Sequence, residues 1–389
     1  MNSEIFLTDA CNLRCTFCGA WNQDGIVNDF DPSFLKKYIE DLSKMGQRYL
    51  AFSGGEPFLY PHLYDIVQFA NQLGMYTQIT TNGSLIDDAY ISFVSNKNIM
   101  TRISLHSLEE KKFEELVGVD ILPKVDYSIK KLKENHIPYA ISATISKKNM
   151  DEIEALISYA YENDAKYIRF TPVYQVYQGT SFAIEEAFFL QVLEIISDYI
   201  VHHADLVKIE HKVSSYVKEK WFSIITKPCA AASPYYHALN PDLDLVACPI
   251  LAHYFDLPRE KYRSTDSLQD FRNQYKELFA SISVDQLEGR CGVCLYKGVC
   301  KGGCLSTKLE KNLQLTEEQP ICIKEIVENL LQKYSHEDQE FLLQYWLGQC
   351  EKKKIHLKEV KSCIRRLPMW EIHFTRPKVV YSYKNMIRS

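Results

Sequence analysis

Apolar and polar positions over the first two hundred residues fall into short alternating blocks. Ile5–Thr8 is a brief apolar run. Within Pro32–Met45, Phe34, Leu35, Tyr38, Ile39 and Leu42 recur at helical spacing. Tyr49–Phe52 is short and apolar, the pattern of a buried strand. Pro61–Leu73 predicts a helix with proline in its first turn and Gly74 past its end. The series continues with a strand at Tyr76–Thr80, a strand at Arg102–Leu105, a helix at Leu122–Asn135, a strand at Tyr139–Ile145, a helix at Asp151–Asn163 and a strand at Tyr167–Phe170. Such alternation predicts an α/β fold with a parallel sheet. Six units are too few to close the eight-stranded barrel, so the expected architecture over residues 1–205 is a partial (β/α)6 barrel.

Composition narrows the class. The 389 residues are enough for one large or two smaller domains, and 46% are hydrophobic, as in ordinary globular proteins. A net charge of −5 provides no basic field for nucleic acid. No secretory signal opens the chain, and no apolar run approaches the ~18 residues of a membrane span. Twelve cysteines without such a signal point to a reducing, cytoplasmic setting and to metal ligation instead of disulfides. Neither a membrane nor a nucleic acid is expected as a partner.

The chemistry concentrates in loops. Cys11-Asn-Leu-Arg-Cys15-Thr-Phe-Cys18 follows the first strand. Thiolates are preferred ligands of zinc and of iron–sulfur clusters. Zinc normally asks for a fourth Cys or His close by, and none follows within forty residues. Three thiols on a four-iron cluster leave one iron open to an outside ligand. Ser53-Gly54-Gly55-Glu56-Pro57 follows the second strand; its glycines let backbone approach a ligand, and its carbonyls and Glu56 can accept from an ammonium. Thr81-Asn82-Gly83 follows the third strand. All three loops are expected at the C-terminal ends of the strands, where barrel chemistry gathers. A second set, Cys229, Cys248, Cys291, Cys294, Cys300, Cys304 and Cys322, is too large for one tetrahedral site. It suits two sites of three or four ligands each, either clusters or a pair of zinc ribbons.

On these residues the chain resembles the radical S-adenosylmethionine (SAM) superfamily, and its second cysteine set is similar to the SPASM domain of peptide-modifying members. The Lys301-Gly302-Gly303-Cys304 stretch looks most like that group. The resemblance implies a [4Fe–4S] cluster on Cys11, Cys15 and Cys18 whose open iron is chelated by SAM. One electron then yields a 5′-deoxyadenosyl radical that abstracts a substrate hydrogen. It further implies that Ser53, Gly54, Gly55, Glu56 and Pro57 hold the SAM amino group. Phe17 would meet the adenine through its backbone, Ser104 would lie near the ribose, and Asn82 would border the cofactor. Residues Arg169–Tyr174, Tyr174 included, would line the adenine pocket. Cys291, Cys294, Cys300 and Cys322 would hold a distal auxiliary cluster. Cys229, Cys248 and Cys304 would hold a proximal one with an open iron, for three [4Fe–4S] clusters in all. The implied division is a barrel at 1–205, a linker at 206–228 with a connecting helix, a SPASM domain at 229–322 and a tail at 323–389.

Three departures stand out. His106 occupies the place of a family aspartate, which makes it a catalytic candidate facing substrate, although a lone histidine is commonly structural. The downstream arginine is absent around Leu116-Val117-Gly118, and Asp242-Leu243-Asp244 replaces a glycine turn ahead of Cys248. Tyr174, Tyr177 and Asp120 are candidates by proximity to strand ends.

The expected activity is oxidative modification of a ribosomally made peptide, with flavodoxin or ferredoxin as electron donor. The first strand lies almost at the start of the sequence, so leader recognition would fall to a separate binding protein, to the basic tail, or to nothing. Helices are expected in the tail at Ile323–Lys333, Glu337–Leu347 and Leu357–Leu367, with a hairpin from Trp370–Phe374 and Val379–Tyr383. Residues 351–389 carry eleven Lys/Arg against three Asp/Glu, which suits either a solvated packing element or a dock for an acidic leader. Cys350 and Cys363 read as ordinary buried thiols. The alternatives are a radical-SAM enzyme acting on a small molecule such as a sugar or tetrapyrrole, and a non-catalytic zinc-binding module.

Overall fold

The computed structural model of the chain describes residues 2–18, 29–95, 98–173, 186–203, 236–247, 260–281, 283–294, 297, 302–303, 308, 313–318, 322–339, 341–342 and 370–373. In order these form β1 (Asn2–Phe6), α1 (Pro32–Lys44), β2 (Tyr49–Ser53), α2 (Leu63–Gln72), β3 (Tyr76–Thr81), α3 (Asp88–Val94), β4 (Ile99–Ser104), α4 (Glu110–Val117), α5 (Leu122–Glu134) and β5 (Tyr139–Ile145). They continue with α6 (Ile153–Glu162), β6 (Tyr167–Pro172), α7 (Glu186–His202), β7 (Tyr236–Leu239), β8 (Asp244–Val246), β9 (Glu260–Lys261), α8 (Thr265–Ser281), α9 (Gly289–Val293), α10 (Ile323–Leu331) and β10 (Trp370–His373). The strands make one ten-stranded sheet in the order β10-β6-β5-β4-β3-β2-β1-β7-β8-β9. Strands β1 to β6 pair in parallel, as a partial barrel requires.

The helices cover the outer face of this sheet. In α1, Asp31 caps the first turn by accepting from the Phe34 N–H at 2.9 Å, and Leu35, Tyr38, Ile39 and Leu42 form the buried stripe. Burying each such side chain contributes about 2 kcal/mol. Ile99, Thr101 and Ile103 of β4 are buried beneath helices, whereas Met100, Arg102 and Ser104 alternate with them on the half-buried inner face. Five barrel helices end in the same left-handed residue: Gly46, Gly74, Gly118, His136 and Asp164, with φ between 56° and 82°. The turn after α1 shows how it works, with Gly46 N–H donating to Ser43 and Gln47 N–H to Leu42.

Several expectations shift. The first strand runs Asn2–Phe6 because it is pinned between β2 and β7. Helix α2 starts at Leu63, not Pro61, with His62 at its N-cap, and a separate 3-10 turn at Pro57–Leu59, capped by Glu56, precedes it. Helices α3 and α4 carry too few turns to register as periodicity. Strand β7, which periodicity did not mark, falls within the 229–322 stretch and pairs in parallel with β1, extending the barrel sheet. Strand β10, expected in a tail hairpin, pairs antiparallel with β6. Residues 206–228, the second hairpin strand at 379–383, the helix at 357–367, most of 337–347, and Cys350 and Cys363 lie outside the described residues. No described helix is long and apolar enough to cross a membrane.

Candidate active site

The loop after β2 is zipped onto the segment that leads into the first cysteines. Leu7 N–H donates to Ser53 O at 2.9 Å, Gly55 N–H to Thr8 O at 2.8 Å and Glu56 N–H to Ala10 O at 2.7 Å. The ladder between β1 and β2 thus runs on past both strands. A Cβ on Gly54 would stand 2.6 Å from Thr8 O, and one on Gly55 2.1 Å from Ala10 O. Gly54 also holds a φ of +132°. The glycines were expected to make room for a ligand; the close approach they make here is to the cysteine loop's own backbone.

Glu56, expected to accept from an ammonium, accepts from the protein's own groups. Its side chain is fully buried. The carboxylate accepts from Phe58 N–H at 3.1 Å, Thr81 Oγ1 at 2.7 Å and Asn82 N–H at 2.8 Å. Burial pushes its pKa up to about 7, against the pull of those three hydrogen bonds. Glu56 is therefore a strut between the second and third loops. Asn82 carries the connection onward: its Nδ2 donates to Asn12 Oδ1 at 2.8 Å, and its Oδ1 accepts from the Ser84 hydroxyl at 2.6 Å. Pro57 is buried and opens the 3-10 turn.

The other side of the cysteine loop rests on α4. Arg14 N–H donates to Val117 O and Thr16 N–H to Leu116 O. Gly118, at φ +82°, would place a Cβ 3.1 Å from Arg14 O. The Leu116–Gly118 stretch drew notice in the sequence for a missing arginine; in the fold it is a cradle for the loop. Nothing in the periodicity signalled this, because the partners are backbone atoms a hundred residues apart. Leu13 buries its side chain in the core, and the Arg14 guanidinium folds back onto the carbonyls of Cys11 and Leu13.

Cys11, Cys15 and Cys18 are outside any disulfide and partly buried on this scaffold. Burial pushes the Cys11 thiol up to about 11 and Cys15 higher still, and repulsion among the three adds to both. Three thiolates so placed need a compensating cation, which fits a group bringing several iron centres. Among the described residues no three His, Cys, Asp or Glu side chains converge on a single metal ion.

Phe17 sets its ring edge-on to His106, centroids 4.9 Å apart, and Phe113 lies at 6.2 Å on the imidazole. His106 Nδ1 accepts the Thr144 N–H at 3.0 Å, which leaves the proton on Nε2. Burial lowers its pKa to about 4, so the ring is neutral at pH 7. These are the marks of a histidine that braces the cysteine loop. Ser104 ends β4, half-buried and in register with Ser142. Asp120 is exposed. Tyr174 and Tyr177 lie outside the described residues.

Of the second cysteine set, Cys291 lies in α9, Cys294 caps it and Cys322 caps α10. Cys291 is near enough to Cys322 to help raise its pKa, behind burial as the main cause. Arg290 holds the two segments together through Glu318 and Glu325. Cys229, Cys248, Cys300 and Cys304 lie outside the described residues. The turn where a glycine was expected ahead of Cys248 keeps glycine-like geometry: Leu243 has a φ of +68°.

Residues 5–160 match the Radical SAM superfamily. A GTP 3',8-cyclase of Clostridium perfringens is 32% identical over 178 residues, covering 44% of this chain and 55% of that protein. The chain thus spans about half the length of the GTP 3',8-cyclases it matches. An AdoMet-dependent heme synthase of Methanosarcina barkeri is 23% identical over 350 residues, covering 82% of this chain and 94% of that protein. Streptococcus suis SuiB, solved bound to its precursor peptide SuiA, shares the fold with a TM-score of 0.66 and 18% identity, over 83% of this chain and 75% of SuiB. This barrel and the thiol loop at its lip fall within residues 5–160, which are a Radical SAM domain.

Proposed function

We propose that the chain is a radical-SAM enzyme that modifies a ribosomally made peptide. The observation that carries the radical-SAM part is the glycine-zippered loop: it ties the segment bearing Cys11, Cys15 and Cys18 to Glu56 and Asn82, at the end of the sheet where Ser104 closes β4. The three thiols would hold a [4Fe–4S] cluster. When bound together, cluster and SAM supply a one-electron cleavage that delivers a carbon-centred radical. The protein's part is to hold and shield. Backbone at Gly54–Pro57 and the Asn82 side chain would orient the SAM amino group, Phe17 the adenine and Ser104 the ribose. Cys229, Cys248, Cys291, Cys294, Cys300, Cys304 and Cys322 would carry two auxiliary clusters within a SPASM domain at 229–322.

The peptide reading draws on the fold shared with a peptide-bound enzyme and on the basic 351–389 segment, which suits an acidic leader. A reduced electron carrier such as flavodoxin or ferredoxin would supply the electron. A second reading, a small-molecule substrate, is favoured by the GTP 3',8-cyclase and heme synthase relatives. Reduced, reconstituted protein should hold about twelve irons per chain, three clusters of four. Given SAM, it should release 5′-deoxyadenosine. Full iron loading with no such product would refute the reading. Mass spectrometry of peptides encoded beside the gene, co-expressed with the enzyme, separates the two substrate classes: a mass change on a peptide selects the first.

A further inference from the structure

Downstream of the barrel, one arginine joins the two segments that carry Cys291, Cys294 and Cys322. Arg290 immediately precedes Cys291. Its backbone N–H donates to Glu318 Oε2 at 2.7 Å, and its Nε stands 2.9 Å from Glu318 Oε1. Its Nη1 pairs with Glu325, which lies in the first turn of α10 just after Cys322. Beside it, Glu288 N–H donates to Thr316 O at 2.9 Å, so segments 288–290 and 316–318 run bonded together. Gly289 allows this approach: it holds a φ of +53°, and a Cβ there would fall on the Glu318 carboxylate.

Stability alone does not account for the clamp. The Arg290 side chain is 29% exposed, Glu318 44% and Glu325 36%, and pairs this open contribute little one by one. A planar guanidinium held by two carboxylates does fix geometry. What it fixes is Cys291 relative to Cys322; Cys294 follows, with its N–H donating to Cys291 O at 3.4 Å. These thiols fit a shared metal group, because Cys291 is near enough to act on the Cys322 thiol. Burial is the main influence raising that thiol; the charges of Glu325 and Cys291 add to it, and Arg290 opposes them. The positive charge of Arg290 therefore reaches a sulfur that a cluster would use.

We propose that Arg290 is a positioning residue for the distal auxiliary cluster: through Glu318 and Glu325 it sets Cys291 and Cys294 against Cys322 before the cluster binds, and its charge then favours the reduced cluster. This rests on the SPASM reading for the cluster itself, but its test needs no turnover. Reduction by one electron makes a cluster more negative, and a fixed cation nearby stabilises that form. Removing the Arg290 charge should therefore lower the midpoint potential. Removing the Glu318 charge should raise it, although either change breaks the clamp.

The test uses the reconstituted full chain. Its distal cluster is identified as the electron paramagnetic resonance signal, and the four or so irons, missing from a Cys291→Ala, Cys294→Ala double variant. Two readouts follow: the rate at which a chelator removes that iron, and the midpoint of that signal in a dithionite titration. Arg290→Gln should lose the distal iron about tenfold faster, the order expected when a group that orients metal ligands is removed, and its midpoint should fall. Arg290→Lys keeps the charge but cannot span both carboxylates, so iron loss should quicken while the midpoint stays near wild type. Glu318→Gln should quicken iron loss and raise the midpoint. Should Arg290→Gln fail to fold, the other two variants carry the test. Iron loss unchanged in the variants that fold, a midpoint in Arg290→Lys as low as in Arg290→Gln, or a midpoint that falls in Glu318→Gln would each overturn the proposal. A double cysteine variant that keeps every iron would refute the SPASM reading, and the proposal with it. Iron lost there but held as in wild type by the Arg290 and Glu318 variants would refute the proposal alone.

Discussion

The carbonyl oxygen of Ala10 lies 2.1 Å from where a Cβ on Gly55 would stand. The contact is backbone against backbone, so no side-chain rotation relieves it. Gly55→Ala should push the cysteine loop away from the 53–56 segment and break the Gly55–Thr8 and Glu56–Ala10 hydrogen bonds. A stability loss of about 2–3 kcal/mol is expected, within the range for steric and hydrogen-bond disruption. Iron bound after reconstitution should fall with it. A variant that melts and binds iron like wild type would show that the loop has slack the close contact denies.

Glu56 gathers three donors onto one buried carboxylate. Glu56→Gln replaces an oxygen with an NH2 group facing some of those donors. The expected cost, measured above pH 7 where the carboxylate is ionised, is about 2–4 kcal/mol, the range for a buried charged acceptor turned into an unsatisfied donor. Hydrogen exchange supplies the local check, because the Asn82 amide loses its acceptor and should exchange faster in the variant. An unchanged rate at Asn82 would contradict the strut.

His237 sits fully buried, with Nε2 2.7 Å from the Tyr38 hydroxyl and 3.2 Å from Ser3 Oγ. Its Nδ1 faces the Arg272 guanidinium at 3.5 Å, a group that can only donate, so the proton belongs on Nε2. Burial, then Arg272, lowers its pKa from 6.5 to about 3. The unfolded chain therefore binds the proton first on acidification. Stability tied to neutral His237 is complete above pH 6.5 and drains away as pH falls toward 3. Relative to His237→Gln, which does not titrate, wild type should lose about 3 kcal/mol between pH 7 and pH 4, at about 1.4 kcal/mol per pH unit below 6.5. Denaturant melts at the two pH values measure this; parallel losses in both proteins would exclude His237 as the source.

His136 ends α5 at φ +56°, where α1, α2 and α4 use glycine. The residue is exposed. His136→Gly should raise stability by about 1 kcal/mol, the cost of a side chain in the left-handed region. A thermal melt decides it, and a lower midpoint in the variant would mean that the imidazole contributes more than the backbone loses.

Much of the barrel could be read along the chain because its signals are local. The apolar stripe Leu35, Tyr38, Ile39 and Leu42 spells one face of a helix, and short runs such as Tyr49–Phe52 spell buried strands, whatever they pack against. The CxxxCxxC spacing and Gly54-Gly55-Glu56-Pro57 likewise announce themselves by composition. What each of those residues touches was settled elsewhere. Gly55 is glycine because Ala10 crosses it, Glu56 faces inward because Thr81 and Asn82 arrive from another strand, and Gly118 yields to Arg14. Strands β7 and β10 joined the barrel sheet because unpaired edges of β1 and β6 offered hydrogen bonds that no pattern inside residues 236–239 or 370–373 encodes. Periodicity is a property of neighbours in sequence; contacts between loops separated by tens of residues exist only once the sheet has set their spacing.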